Sequence, residues 1–418
     1  MSGKSHTLQR RMKVNSRMKE AKVYKHDKAK PMDKKTLKIV QLNAVYFKAD
    51  AISNIAMALD KIHKEQEWQS DLLADLFTAY DNIPTLAYWD YDKSGILQSV
   101  AYLISRFIRL DNKLLWLGEY AKAMKTYKPG VAKSIIEGTD IRIWHFGGFY
   151  TLFRQFHDGD ILYFHGITPP YLSNFSEFGI FSKQMLYAIL DMHPFVIVDS
   201  EYIKHTLISM GFRNNSIHVL PLFHTCRLPF SYSPQAKPKL LAWGRYARNK
   251  GIPELVQFAN AYKQPVRIFG DNFQLKEYSE QFREAQARNT SNYANLRGKV
   301  PDFEQELFAA NIYICNSYHE GFNMPLIEAE AHSLPVLARR GTAMDELVKD
   351  GWNGYLFGSV DELPGLIGKI MADYKRMARN AWQHSQGYTS VKYKEGYLRI
   401  IDKQEKIRTG NIEPEGAS

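Results

Sequence analysis

The sequence predicts an α/β protein of two domains, each built on a doubly wound parallel sheet. Two observations carry this prediction. The chain has 418 residues, which is too many for one hydrophobic core, because cores tend to split beyond about 250 to 300 residues. Short runs rich in β-branched residues also alternate with stretches of helical periodicity in both halves, which is typical of parallel sheets with helices between the strands.

In the first half, a strand, a loop and a helix open the domain. The apolar run 37–42 is predicted to be a buried strand, and residues 51–65 carry apolar side chains at helical spacing. Further short strands are predicted at 141–144, 161–164 and 195–198. The alternation favours a parallel sheet for this half.

A proline-rich break separates the halves. Residues 228–238 contain three prolines and two serines, a composition that favours an extended linker. Beyond it we predict a strand at 239–243, a helix at 253–262 and a strand at 266–269. A second sheet of the same kind is therefore expected.

The predicted organisation has four parts: a basic tail (1–36), a first domain (37–228), a second domain (239–390) and a C-terminal helix and tail (391–418). Residues 1–38 hold thirteen basic and three acidic side chains, a net +10 of the total of +11. Such a tail could attract an anionic bilayer with about 1 kcal/mol per basic residue near the surface, or it could be a disordered, solvated extension. The nearly neutral body argues against a broad nucleic-acid-binding surface, so no nucleic acid partner is expected.

Cysteine usage and the start of the chain predict a cytoplasmic protein. The two cysteines, Cys226 and Cys315, form no metal-binding pattern. The polar start lacks the apolar segment of a signal peptide, and no run of about 18 apolar residues occurs in the sequence. We expect location in the cytoplasm, with peripheral attachment to the inner face of the membrane through the tail as an option.

The loop after the first strand of the second half carries glycines and cations. Gly244, Arg245, Lys250 and Gly251 lie between that strand and the next helix. A diphosphate needs close backbone approach, a forked arginine and a lysine charge near a helix N-terminus, and this loop supplies them. A basic loop taken alone is more often a solvated turn.

Two carboxylates lie eight positions apart in a second candidate segment. Glu320 is predicted in a loop, and Glu328 about one turn into a helix that Pro325 permits. Carboxylates accept hydrogen bonds from vicinal hydroxyls, as in ribose-binding sites. Glu330, two positions further on, is expected to face solvent.

Three weaker candidates follow other predicted strands. Backbone amides of Gly341 and Thr342 could donate to phosphate oxygens at a helix start. His165, after the strand 161–164, could bind a sugar hydroxyl or manage a proton, although a lone histidine is more often structural. Asp50 and Asp199 follow strands of the first half and could each contact a ligand or cap a helix, and only Asp50 is taken as a candidate site residue.

Together these segments resemble the donor half of the family 4 retaining glycosyltransferases, which have the GT-B architecture of two Rossmann-like domains facing each other across a cleft. The resemblance covers most of residues 239–357. The family's G-R-x-x-x-x-K-G and E-G-F-x-x-P-x-x-E elements match, in order, Gly244, Arg245, Lys250 and Gly251, and then Glu320, Gly321, Phe322, Pro325 and Glu328.

The resemblance implies roles for these residues. Arg245 and Lys250 would bind the donor diphosphate, with Gly244, Gly341 and Thr342 beside it. Donor sugar and ribose contacts would come from Glu320, Gly321, Phe322, Asn323 and Glu328. Of these, Glu320 would face the sugar and Glu328 the ribose, and the family's cleft histidine falls on His165, which with Glu320 is the predicted catalytic pair.

The first half matches the family less closely. The resemblance makes 37–228 the acceptor-side domain, with Asp50 as its candidate, and 239–390 the donor-binding domain. The segment 43–50 stands where many members carry a Gly-Gly pair, so the acceptor side is less defined. Ser333 stands where a glycine is usual before a Pro-Val turn, a change expected to alter packing more than chemistry. Residues 163–170 resemble bacterial mannosyl- and glucosyltransferases acting on surface polysaccharides.

The implied reaction moves a hexose, mannose or glucose, from a nucleoside-diphosphate sugar to a saccharide acceptor with retention. A lipid-linked oligosaccharide of O-antigen or exopolysaccharide biosynthesis is the implied acceptor. No cofactor and no metal are expected, because Arg245 and Lys250 would neutralise the leaving diphosphate. A nucleotide-sugar epimerase of related fold and a non-enzymatic nucleotide-sugar-binding protein are the alternatives, and the presence of both glutamates with both cations favours the transferase.

Overall fold

The computed structural model describes residues 36–46, 51–78, 134–146, 156–157, 159–172, 186–232, 237–270, 276–298, 300 and 302–412. Nearly all of the basic tail and the candidate Asp50 lie outside these residues. Within them, the strands form two sheets of six strands each.

The first sheet contains strands β1 to β6 in the order β2-β1-β3-β4-β5-β6, and each strand pairs with its neighbours in parallel. The strands are β1 (Lys38–Tyr46), β2 (Gln69–Thr78), β3 (Ile141–Phe146), β4 (Ile161–Phe164), β5 (Phe195–Val198) and β6 (Ile217–Val219), with helices α1 (Ala51–Glu65) and α2 (Glu201–Ser209). The strands β4 and β5 are buried along their whole length, as expected for parallel strands covered on both faces.

The second sheet has the order β12-β11-β10-β7-β8-β9 and is also parallel. Its strands are β7 (Leu240–Trp243), β8 (Val266–Phe269), β9 (Ala294–Arg297), β10 (Ile312–Cys315), β11 (Val336–Arg339) and β12 (Gly354–Phe357). Its helices are α3 (Ile252–Ala261), α4 (Lys276–Arg288), α5 (Phe303–Phe308), α6 (Met324–Ala331), α7 (Met344–Leu347), α8 (Leu363–Ala372) and α9 (Tyr374–Ser385). The order reverses between β7 and β10, which makes their carboxyl ends the switch point where ligands bind in such sheets.

The last helix, α10 (Ser390–Arg408), follows the second half in sequence but packs on the first. The Tyr397 hydroxyl lies 2.6 Å from His63 Nε2 on α1, and the Tyr393 hydroxyl lies 3.1 Å from that of Tyr163 on β4. Apolar side chains of this helix join the core beneath the first sheet. The first half is therefore completed by a segment from the far end of the chain.

The predicted fold class is confirmed: the protein has two parallel, doubly wound sheets with helices on their faces. Helix α1 and strands β4, β5 and β8 have the predicted bounds. Among the described helices, none is long and apolar enough to cross a bilayer.

Candidate active site

Two loops leave the second sheet at the switch point and are hydrogen-bonded together. Asn316 Nδ2 donates to the carbonyl oxygen of Gly251 over 2.6 Å, and Asn249 Nδ2 donates to that of His319 over 3.2 Å. Gly251 has φ +58°, and a Cβ there would lie 2.6 Å from Asn316. Only glycine fits this left-handed, crowded position, so the loop after β7 is held against the loop after β10.

The loop contacts bring Lys250 and Glu320 together. Lys250 Nζ lies 2.5 Å from Glu320 Oε1, and the two side chains are only 15% and 10% exposed. A Cβ on Gly244 would lie 3.4 Å from the Lys250 side chain, so the stem of the lysine packs along the backbone of its own loop. The structure thus joins the predicted diphosphate cation and the predicted sugar-binding carboxylate.

Asn323 holds Glu320 and begins helix α6. Its Oδ1 accepts from the backbone amide of Leu326 over 2.8 Å, which is an N-cap. Its Nδ2 lies 3.1 Å from Glu320 Oε1 and 3.1 Å from Cys315 Sγ. Because these contacts occupy its side chain, Asn323 positions Glu320 and caps the helix in this structure, whereas the sequence predicted a sugar contact.

Arg245 lies on the same loop as Lys250 but is anchored elsewhere. Its side chain is exposed, and Nη1 donates to the Tyr278 hydroxyl on α4 over 3.0 Å. The guanidinium also lies over the Tyr278 ring, 5.8 Å from its centroid. Arg245 is therefore held at the outer side of the loop by an aromatic residue of α4.

The loop after β11 packs beside Glu320. The backbone amide of Ala343 donates to the carbonyl oxygen of Glu320 over 3.3 Å. Gly341, with φ +95°, donates its amide to both carboxylate oxygens of Asp345 at 3.0 Å, and the buried Thr342 accepts from the amide of Met344. A phosphate contact by the amide of Gly341 would require Asp345 to release it.

Glu328 and Glu330 on α6 have different surroundings. Glu328 is half-buried, and burial raises the pKa of its carboxyl to about 7. Glu330 is fully buried: Oε1 accepts from Asn353 Nδ2 over 2.6 Å, and Oε2 lies 2.7 Å from His384 Nδ1. The expectation that Glu330 faces solvent was wrong, because α6 packs between its sheet and α9 and has little outer surface.

His165 follows β4 and is held through both ring nitrogens. Its Nδ1 lies 2.9 Å from Asp199 Oδ2, and its Nε2 lies 3.2 Å from His145 Nδ1. His145 Nε2 in turn lies 2.9 Å from Gln41 Oε1. Burial, and then the neighbouring His165, hold the pKa of His145 well below its usual range.

Sequence reasoning missed His145 and Gln41, and it left Asp199 unassigned between ligand contact and helix capping. A usable signal was present. Each of the three lies in, or directly after, a strand of the first sheet, and polar side chains in otherwise apolar strands are unusual.

The two halves touch at Gly321. A Cβ on this glycine would lie 2.9 Å from the carbonyl oxygen of His165 and 2.7 Å from Ile203 Cδ1. The Ser200 hydroxyl donates to the carbonyl oxygen of Gly321 over 2.6 Å. Phe322 packs against apolar clusters of both sheets. Gly321 and Phe322 thus join His165 to the neighbourhood of Glu320.

A carboxylate of the second half caps a helix of the first. Glu346 on α7 accepts from the backbone amides of Glu201 and Tyr202, over 2.9 and 2.5 Å. These amides form the positive N-terminal end of α2, which favours a negative charge. The contact fixes α2, and with it the neighbouring Asp199, against the second half.

The chain resembles known proteins in sequence. Residues 237–373 match the family described as Glycosyl transferases group 1. The chain is 28% identical over 176 residues to the alpha-monoglucosyldiacylglycerol synthase of Acholeplasma laidlawii, covering 39% of this chain and 44% of that protein. It is 28% identical over 97 residues to a probable sucrose-phosphate synthase of Thermosipho melanesiensis, or 23% of each chain. The matches span less than half the length of these relatives.

The fold resembles solved structures over nearly the whole chain. Anabaena HepE, crystallised with UDP and glucose, has a TM-score of 0.61 at 18% identity, covering 88% of this chain and 99% of that one. The sucrose-phosphate synthase of Thermosynechococcus elongatus has a TM-score of 0.63 at 17% identity, covering 87% and 98%. With two parallel sheets of six strands each, the protein has the GT-B fold, and its residues 237–373 resemble the group 1 glycosyltransferases.

Proposed function

We propose that this protein transfers a hexose from a nucleoside-diphosphate sugar to a hydroxyl of a saccharide acceptor. The observation that carries the proposal is the pair of Lys250 and Glu320, 2.5 Å apart at the switch point of the second sheet. Of the two hexoses considered, glucose from UDP-glucose has the better support, because HepE was crystallised with UDP-glucose and one relative is named a monoglucosyl-lipid synthase.

The pair suggests how the donor would be bound. A bound diphosphate would replace Glu320 as the partner of Lys250, because it presents two anionic oxygens where Glu320 presents one carboxylate. Arg245 lies nearby on the same loop. Glu320, still held by Asn323, would then accept from hydroxyls of the sugar. Charge growing on the leaving diphosphate would be stabilised by Lys250 in a partly buried site, where such stabilisation is strong.

Three finer features belong to the same proposal. Transfer would retain the anomeric configuration, with the leaving phosphate taking the acceptor's proton. It would need no metal, because the loop after β7 already supplies cations for the diphosphate. The acceptor would be a lipid-linked oligosaccharide of a surface polymer, and the tail of net charge +10 within residues 1–38 would hold the enzyme at the cytoplasmic face of an anionic membrane.

The first experiment is a thermal-shift screen against UDP, GDP, UDP-glucose and GDP-mannose. A ligand that binds the native state must raise the apparent melting temperature. We expect the largest shift with UDP compounds and a smaller one in Glu328→Gln, which replaces one of the two carboxylate oxygens proposed to accept from the ribose hydroxyls with an amide donor. Glu395→Gln, on the exposed face of α10, is the matched control and should shift like the native protein.

Product analysis then separates the alternatives. Incubation with UDP-glucose and a saccharide acceptor should give a glycoside whose anomeric proton shows retention, with equal rates in EDTA and in added Mg²⁺. Nucleotide binding without any product would point to a binding protein, and conversion of the free nucleotide sugar would point to an epimerase. Absence of any nucleotide shift would overturn the proposal.

A further inference from the structure

His165 lies within a buried chain of hydrogen bonds that starts inside the first sheet. The chain runs from Gln41 through His145 and His165 to Asp199, with contacts of 2.9, 3.2 and 2.9 Å. The side chains of His165 and Asp199 are 5% and 3% exposed, and His145 and Gln41 are buried. Water has little access to these contacts, so the protein must satisfy them itself.

The amide of Gln41 fixes one end of this chain. Its Nε2 donates to the carbonyl oxygen of Ala56 over 3.0 Å, which turns Oε1 toward His145. An amide oxygen can only accept, so His145 Nε2 must carry a proton. Asp199 fixes the other end, because a carboxylate also only accepts and His165 Nδ1 must therefore donate.

The contact between the two rings requires a third proton. The ring planes are parallel within 1° and their centroids lie 5.5 Å apart. His145 Nδ1 and His165 Nε2, at 3.2 Å, form a hydrogen bond only if one nitrogen carries a proton and the other does not. Three protons on four ring nitrogens leave one ring as an imidazolium and the other neutral.

We infer that His165 is the imidazolium, with a proton on each ring nitrogen, and that His145 is its neutral, positioning acceptor. His165 contacts the carboxylate of Asp199 directly, whereas His145 faces an uncharged amide. The ring of Tyr163 also lies against His165, with centroids 4.3 Å apart, and an aromatic face favours a cation.

The other titratable neighbours add no competing charge. Tyr163 and Tyr393 are buried phenols whose pKa is raised by burial above the usual range, so they stay neutral. His63, which lies near His145, is also neutral because burial lowers its pKa to about 3. Asp199 is therefore the partner that balances the charge of His165.

The consequence concerns the role of His165 in the proposed transfer, on which this inference rests. With both nitrogens protonated, His165 has no lone pair to take a proton from an acceptor hydroxyl. Both of its N–H groups already donate, to Asp199 and to His145, so it can act as a fixed positive group near the junction with Gly321 but not as the general base.

The direct test is long-range ¹H–¹⁵N correlation of the histidine side chains at neutral pH in the full chain. The His165 signals are identified by their loss in His165→Asn. We expect both nitrogens of His165 to be protonated and His145 to carry a proton only on Nε2. A His165 ring with one unprotonated nitrogen, or a protonated Asp199 in its place, overturns the inference.

A second arm tests whether His145 acts through His165. His145→Gln retains an oxygen that can accept from His165 Nε2, and we expect turnover within about threefold of the native rate. His145→Leu removes the acceptor and should lose at least tenfold in turnover with an unchanged UDP thermal shift. Equal turnover in both variants overturns the positioning role. Failure of the native protein to bind UDP would instead count against the proposed function, and the spectra would still decide the proton assignment.

Discussion

The two ends of helix α6 carry the same kinds of side chain in opposite settings. At its N-terminal end, Glu320 contacts Lys250 and Asn323 in loops at the switch point. At its C-terminal end, Glu330 contacts His384 and Asn353 with its side chain fully buried. A glutamate between a basic side chain and an asparagine can therefore form a ligand site or a structural joint, and what separates the two is whether a ligand can reach the carboxylate.

The largest effect on activity is expected from Lys250, the partner of Glu320 at the switch point. Lys250→Ala should lower kcat by about 100- to 1000-fold, because it removes a charge placed to stabilise the leaving group. Initial rates with UDP-glucose and a saccharide acceptor measure this change. Lys392→Ala, an exposed lysine on α10, should keep the native rate, and a Lys250→Ala rate within threefold of native would contradict the comparison.

Substitution of Glu330, at the C-terminal end of α6, should lower the stability of the protein. Glu330→Ala leaves His384 and Asn353 without their buried partner and should cost about 3 to 5 kcal/mol in the free energy of unfolding. Urea denaturation followed by circular dichroism measures it, with Glu395→Ala as the exposed control. An unchanged denaturation midpoint would show that Glu330 is not a structural joint.

Glu328 lies between the two ends of α6, and its substitution should change both the stability of the protein and its binding of nucleotides. Its pKa of about 7 in the native protein exceeds the ordinary 4.5. Between these values the native state binds more protons than the unfolded state, so this carboxyl makes the protein less stable as pH rises from 4.5 to 7. The loss is about 3 kcal/mol at full ionisation.

Glu328→Gln should therefore remove most of that pH dependence while weakening nucleotide binding. Urea denaturation of both proteins at pH 5 and pH 8 measures the first effect, and UDP thermal shifts measure the second. A variant with native pH dependence would show that the carboxyl is not held protonated by burial.

The smallest effect is expected just beyond the helix. Ser333 has φ +62°, a left-handed conformation that side chains disfavour by about 1 to 2 kcal/mol. Its hydroxyl accepts from the amide of Ser231 over 3.3 Å, and this hydrogen bond offsets part of the conformational cost. Ser333→Gly should stabilise the protein by up to about 1 kcal/mol without altering turnover. A thermal melt that falls would show that the hydroxyl contact matters more than the backbone strain.

The same helix shows what could be predicted from the sequence. The apolar run 312–315 is a local signal for strand β10, and Asn323 with Pro325 is a local start signal for helix α6. The meeting of Lys250 and Glu320 was also foreseeable, because both follow strands that adjoin at a switch point. These inferences need only nearby sequence and the strand order.

What could not be predicted depends on distant partners. Glu330 was expected to face solvent because no signal near it in the sequence indicates contacts with α9 or with Asn353. His145 and His165 are twenty residues apart, and their contact depends on the register of β3 beside β4. Sequence patterns identified the candidate residues, whereas tertiary packing decides which of them remain accessible to a ligand.

Helix α10 determines which pieces of this chain could be exchanged with a relative. Because Tyr393 and Tyr397 are built into the core of the first half, a chimera cut once at the linker 228–238 would separate that half from its own last helix. A second junction near residue 389 keeps it. The transplantable module is therefore discontinuous, made of residues 37–228 together with 390–408, and the segment between them can be replaced as one continuous insert.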